Sequence, residues 1–275
     1  MAVRNILVAY NGTPSSDAAL SAAAFMGNKY DAHVTGLMAT VSRIDIVGRP
    51  WLPDAIQKTI LDLDREHMKD MEARFREKMA GELPDEKLHW IAQRGEADAT
   101  VSDYAHMYDL TVVGRHDAVL GDERLELHPD RIALKSGRPV LVIPQTWSQP
   151  LFHEHALLAW DGNRSATRAL SDAMQLLELK QLVTVLTVKA KGVGRALKGI
   201  NVETVLSRHG VATDVVSMKQ NGRHVSDIIL EECANRKAGL LVMGAYEHSK
   251  FREDLLGGVT NTVLRECPIP VLLSH

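Results

Sequence analysis

Three glycines and one acid carry the chemistry this sequence could do. "LLVMGAYEHSKFREDLLGGV" (Leu240 to Val259) starts as an apolar strand ending at Met243, breaks at Gly244, and closes on Gly257 and Gly258. Glycine lets backbone N–H groups come close to an anion such as a phosphate, and it also serves ordinary loop geometry. Both readings stay open at this point. Trp160-Asp161-Gly162, Val188-Lys189 and Gly244-Ala245-Tyr246 fall at the carboxyl ends of apolar runs. Open α/β sheets bind ligands at such strand ends. The segment "KAKGVGRALK" adds Lys189, Lys191, Arg195 and Lys198, a positive stretch able to favour an anion or simply to stay solvated. It is not a dinucleotide fingerprint, because Leu197 stands where the third glycine belongs. "VTNTVLREC", from Val259 and Thr260 onward, reads as a helix whose N-terminus could hold an anion.

Dedicated catalytic constellations are missing from the sequence. It has no GxSxG elbow, HExxH or GxxxxGK[ST]. Cys233 and Cys267 do not form a CxxC pair; both sit in apolar surroundings and read as buried free thiols suited to a reducing cytoplasm. Acids beside Cys233 disfavour a thiolate there. His153 and His155 would share one face of a strand, but no further ligand stands near them, so no metal site is expected. The expectation is a non-enzyme, with at most slow ATP hydrolysis.

Positioning these residues requires a repeated scaffold. "NILVAYNGTPSSDAAL" (Asn5 to Leu20) matches "HALLAWDGNRSATRAL" (His155 to Leu170), and "DLTVVGRHD" matches "GLLVMGAYE". Each copy alternates short β-rich runs with helical segments, the pattern of a doubly wound, mostly parallel open α/β sheet. The two domains are expected at 1–145 and 146–275, with "PQTWSQPLFHEH" as the join. Third strands are expected at Leu88–Gln93 and Thr213–Met218, and fourth strands at Leu110–Val113 and Leu240–Met243. Extra sequence at about 41 to 85 in the first copy carries Ile56, Ile60, Met68, Met71, Phe75 and Met79 near helical spacing. It predicts a long amphipathic helix covering one sheet face.

Bulk properties narrow the class. The chain has 275 residues, 45% of them apolar, and a net charge of −3. Residues 1–145 hold 17 Lys+Arg against 22 Asp+Glu, and residues 146–275 hold 15 against 13. The net charge of −3, uneven between the halves, argues against a dedicated nucleic-acid binder, which would carry a basic surface. No apolar run approaches a membrane span, and the N-terminus lacks a signal-peptide h-region. The expectation is a cytoplasmic protein with no membrane or nucleic-acid partner.

The doubled β-α-β unit, "DLTVVG" and "GLLVMG" before polar loops, and the closing "PVLVIP" and "PVLLSH" resemble a tandem universal stress protein over essentially the whole chain. The resemblance implies a stress-response regulatory module. It also implies, in ATP-binding members, a loop G-x2-G-x9-G-[ST] after the fourth strand and an Asp ending the first. The second copy has Asp161 at the Asp position, Val188 at the adenine edge, and Gly244 and Gly257 in register. Glu247 replaces the second glycine, and Gly258 replaces the hydroxyl residue, with Thr260 two positions on. A carboxylate near a triphosphate repels it by about 4 kcal/mol at 4 Å and an effective dielectric near 20, before screening. The resemblance therefore places an ATP or AMP site at Trp160, Asp161, Gly162, Val188, Met243, Gly244, Tyr246, Glu247, His248, Gly257, Gly258, Val259 and Thr260. The alternatives are a non-nucleotide interaction protein, and a binder of another small molecule with a metal or anion at Glu247 and His248. The first copy has Asn11, Asp117, Leu127 and His128-Pro129 at the matching positions, so no ATP binding is expected there. The family's pairing of final strands implies an intramolecular pseudo-dimer, able to form a homodimer in turn.

Overall fold

The computed structural model describes residues 3–41, 52–115, 127–147, 154–189, 198–245 and 258–275. The first half runs β1 (Asn5–Ala9), α1 (Pro14–Tyr30), β2 (His33–Thr40), α2 (Asp54–Met79), β3 (Leu88–Arg94), α3 (Ala97–Ala105), β4 (Leu110–Gly114), α4 (Pro129–Ser136) and β5 (Val140–Ile143). The second half runs β6 (His155–Ala159), α5 (Arg164–Leu177), β7 (Leu182–Lys189), α6 (Val202–Arg208), β8 (Thr213–Lys219), α7 (Val225–Asn235), β9 (Leu240–Gly244), α8 (Val259–Glu266) and β10 (Val271–Ser274).

Among the described residues, the strands form one ten-stranded sheet in the order β3-β2-β1-β4-β5-β10-β9-β6-β7-β8. Pairing is parallel within each half. The halves meet where β5 and β10 pair antiparallel, with Val140 opposite Leu273, Leu141 opposite Leu272 and Val142 opposite Val271. The two open sheets expected from the repeat thus run on as a single sheet. Each half reverses its winding between its first and fourth strands, β1 beside β4 and β6 beside β9. There the crossovers leave in opposite directions, and a crevice opens at the carboxyl ends.

Side chains alternate across the sheet because the strand period is two. Ile6, Val8 and Tyr10 pack on one face with α1, α2, α5 and α6. Leu7 and Ala9 pack on the other with α3, α4, α7 and α8. Strands buried on both faces read as continuous apolar runs, which is why "ILVA" and "LLVM" show no alternation.

α1 starts where Thr13 accepts the Ser16 N–H on its hydroxyl and Pro14 takes the first turn. It ends at Asp31, whose φ of 55° reverses the chain into β2.

Two expectations need correction. The third and fourth strands each run one residue further, to Arg94, Lys219, Gly114 and Gly244, since those residues keep their ladder partners. The inserted helix forms, but only its C-terminal part covers the sheet. Met71, Phe75 and Met79 are buried, whereas Ile56 and Leu63 are exposed. Phe75 lies against Trp90, ring centroids 5.1 Å apart, and against Tyr10 at 6.3 Å. Among the described residues, no helix is long and apolar enough to cross a membrane.

Candidate functional site

In the second half the carboxyl ends of β6 and β9 lie side by side. Beyond β6, the Trp160 N–H donates to Leu186 O at 2.8 Å and extends the ladder by one residue. The chain then turns. Asp161 accepts the Asn163 N–H on Oδ1 at 3.0 Å and the Asn163 side-chain amide on Oδ2 at 3.1 Å. Gly162 takes a φ of 77°, which an L side chain adopts only with strain. This is an Asx turn that launches α5. The first half builds the same turn from Asn11, which accepts the Thr13 N–H at 3.2 Å and the Thr13 hydroxyl at 2.7 Å, with Gly12 at a φ of 75°. Exchanging Asn for Asp leaves the turn alone and adds a negative charge beside the second-half crevice.

Gly244 has a structural reason to be glycine. A Cβ there would lie 2.5 Å from the Ser165 carbonyl carbon and 2.6 Å from the Ala166 nitrogen, both backbone atoms at the start of α5. Gly114 meets the Ser15 backbone at 2.4 Å in the same way. The first half lacks the rest of the glycine loop yet keeps this contact. The first loop glycine is therefore required by strand–helix packing in both halves.

Val188 and Met243 are buried in one apolar cluster, with Val259 packed against it. Thr260 is buried on the second residue of α8. Trp160 packs against the cluster on the opposite sheet face, so the structure does not join it to those side chains. Gly258 is the N-cap of α8 with no side-chain cap, and a Cβ there would meet nothing within 4 Å. Among the described residues, nothing caps the α8 N-terminus, at a position where a hydroxyl would fit. Lys189 and Lys198 are exposed. Tyr246, Glu247, His248, Gly257, Lys191 and Arg195 lie outside the described residues.

The first-half crevice is filled by its own side chains. Asp98, the second residue of α3 and 2% exposed, accepts the His128 N–H on Oδ1 at 2.8 Å and His128 Nδ1–H on Oδ2 at 2.9 Å. Arg131 Nη1 stands 3.7 Å from the same carboxylate. His128 is the N-cap of α4, so a carboxylate occupies the helix end where an external anion would sit. Pro129 follows and offers no N–H. At the matching second residue of α7 the second half has Ser226, whose hydroxyl donates to Asp227 at 3.3 Å. The strand turn is covered as well. Arg74 Nη2 donates to Gly12 O at 3.2 Å, and a Cβ on Gly12 would lie 2.7 Å from Met71 Sδ. Beneath them Tyr10 is buried and donates to Asp17 at 3.0 Å; burial first, and then Asp17, push its pKa up to about 12.

Sequence reasoning missed the Asp98–His128 pair. Its residues lie far apart in the chain, and the faint signal was an acid following the helix-capping Glu96. Arg115 Nη1 donates to Cys267 O at 3.0 Å and ties the halves together. Val3 N–H to Gln175 Oε1 at 2.6 Å does the same. His155 is structural. Its Nδ1–H must donate to Arg236 O, 2.9 Å away, because a carbonyl only accepts, and Nε2 then accepts from the Thr184 hydroxyl at 2.8 Å. His153 lies outside the described residues. Among the described residues, no cluster of three or more His, Cys, Asp or Glu is arranged to hold a metal.

Residues 153–275 match the universal stress protein family profile. The chain is 24% identical to universal stress protein Slr1230 of Synechocystis sp., covering 98% of this chain and 99% of that one. It superposes on a universal stress protein from Archaeoglobus fulgidus with a TM-score of 0.73, at 17% identity and covering 98% and 97% of the two chains. A putative universal stress protein from Pseudomonas aeruginosa superposes with a TM-score of 0.56, at 15% identity and 99% and 93% coverage. With its repeated strand order and its two halves joined at the last strands, the chain has a second half that matches the universal stress protein profile and a first half that repeats the same fold.

Proposed function

We propose that this protein is a stress-response regulatory module that binds an adenine nucleotide, ATP or AMP, in its second half alone. One asymmetry carries the reading: among the described residues nothing caps α8 at Gly258, whereas the start of α4 is occupied by Asp98 and the adjoining turn is covered by Met71 and Arg74. On this reading the nucleoside lies near Asp161 and Val188, and the phosphates take N–H groups near Gly258, with Thr260 behind them. The module senses rather than catalyses, acts in the cytoplasm without nucleic-acid or membrane partners, and divides near residue 145. A homodimer of the joined pair fits the same reading.

A second reading, an interaction protein without a nucleotide, is favoured by one fact. Gly244 and Asp161 are each explained by packing and turn geometry without a ligand. A third, a small molecule of another kind, rests on Glu247 and His248.

Thermal unfolding of the full chain with ATP or AMP separates these readings, since ligand at 100 times its dissociation constant adds about 2.7 kcal/mol. The gain should appear in the wild type, persist in an Asn11→Ala variant, and vanish when Gly258→Asp places a carboxylate at the open cap. No gain with either nucleotide would leave the second or third reading standing, and stabilisation by another small molecule would favour the third.

A further inference from the structure

Two histidines meet on the outer border of the first half. His33 opens β2, and His89 is the second residue of β3, the end strand of the sheet. Thr35 stands opposite His89 in the ladder, and His33 lies two residues before Thr35, so both imidazoles project from one sheet face. Both residues are exposed. His33 Nδ1 and His89 Nε2 are 3.0 Å apart, and the ring planes differ by 19°. One of these two nitrogens carries the proton and donates to the lone pair of the other.

The fold does not demand histidine at either place. The repeat puts Leu182 where His33 stands, since Asn5 pairs with His33 and His155 with Leu182. It puts Asp214 where His89 stands, since Thr35 pairs with His89 and Thr184 with Asp214. There Asp214 accepts from Arg236 Nη1 at 2.6 Å, which fastens β8 to the C-cap of α7. In place of that ion pair the first half holds two imidazoles in contact with each other.

We propose that His33 and His89 form a two-imidazole site for a divalent copper ion, with water rather than a third side chain in the remaining positions. The nitrogen separation selects the metal. With metal–nitrogen bonds of about 2.0–2.1 Å, nitrogens 3.0 Å apart subtend about 94° at the ion. That is close to the right angle between neighbouring ligands of a tetragonal Cu2+ site and well short of the tetrahedral angle that Zn2+ prefers. The order of divalent affinities for nitrogen ligands also puts Cu2+ first. On binding, the ring that donated turns its lone pair to the metal. Its proton moves through solvent to the other nitrogen of the same ring, so no net proton is released. Exposure lets both rings tilt toward the ion. Asp31 lies within electrostatic reach of His33, but Lys87 and Arg4 both pair with its carboxylate, so the two imidazoles hold the metal. The ion would clip the end strand β3 to β2.

The test titrates the full chain, stripped of metal with a chelator, with Cu2+ at neutral pH, and reads it by calorimetry and electron spin resonance. The wild type should bind one Cu2+ tightly, show a tetragonal spectrum with pulsed-resonance modulation from two imidazoles, and melt at a higher temperature with the ion than without it. His33→Gln and His89→Gln should each weaken binding about tenfold or more, and the double variant should add little to either single loss, because the two rings act as one chelate. His209→Gln, at an exposed histidine of the second half, should bind as the wild type does. Unchanged binding in either His33→Gln or His89→Gln would overturn the site, as would modulation from fewer than two imidazoles. Zn2+ held as tightly as Cu2+ would overturn the choice of metal. The wild-type modulation decides even if a variant folds poorly.

Discussion

The Asp98 carboxylate grips His128 twice, through the backbone N–H at 2.8 Å and through Nδ1 at 2.9 Å, and so holds the start of α4 from within. Charge-assisted bonds of this kind are the stronger class, and a donor that loses its partner in a buried site pays its full desolvation penalty. Asp98→Ser copies the residue found at the matching position of the second half. It should destabilise the chain by about 1.5–3 kcal/mol. Urea unfolding measures the loss, and an unchanged midpoint would show that the carboxylate contributes nothing there.

Gly244→Ala and Gly114→Ala should each destabilise the ligand-free protein, by about 1–3 kcal/mol, because the added Cβ meets helix backbone that cannot swing aside. Thermal unfolding without nucleotide reads this directly. If Gly244→Ala left the unliganded protein intact and weakened only nucleotide binding, the glycine would belong to the ligand and not to the packing.

Lys180 is 8% exposed, and burial, reinforced by Lys29, lowers its pKa from 10.5 to about 7. Between those values the unfolded chain holds the proton that the folded chain has released. Stability therefore rises with pH across that window and is lowest below it, where the buried amine stays charged. Lys180→Met should raise the melting temperature at pH 6 and flatten the rise above pH 7. A variant with the wild-type pH profile would locate the dependence elsewhere.

Thr111, the second residue of β4, carries a buried hydroxyl oxygen with no hydrogen-bond partner among the described residues. Thr111→Val keeps the β-branched shape and removes the polar atom. It should stabilise the chain by about 1 kcal/mol in a denaturant titration. A loss of stability would mean that the hydroxyl is satisfied in solution.

The repeat and the strand positions, to within a residue at their ends, are readable in the sequence because they rest on local rules: apolar runs covered on both faces, Asx and glycine turns, and hydroxyl-capped helix starts. The reach of the inserted helix was not. Ile56 and Met71 obey the same helical spacing, and only the position of the sheet decides that one is exposed and the other buried. The candidate site divided in the same way. Asp161 and Gly244 stood out by type and position, but the sequence could not show that Asn11 makes an equivalent turn or that Gly114 meets an equivalent backbone. Asp98 with His128 is not legible in the sequence because the pair is made by tertiary packing rather than by spacing.

The antiparallel seam of β5 and β10 lies inside one polypeptide, so dilution cannot part it. Cut between its halves, the chain would leave Val140–Ile143 and Val271–Ser274 as bare apolar borders, each a template for the next strand it meets. Gene fusion here does the work that concentration does for a two-chain assembly. Among the described residues the outer borders of the sheet are β3 and β8, where the charged Arg94, Asp214 and Lys219 discourage further strand addition.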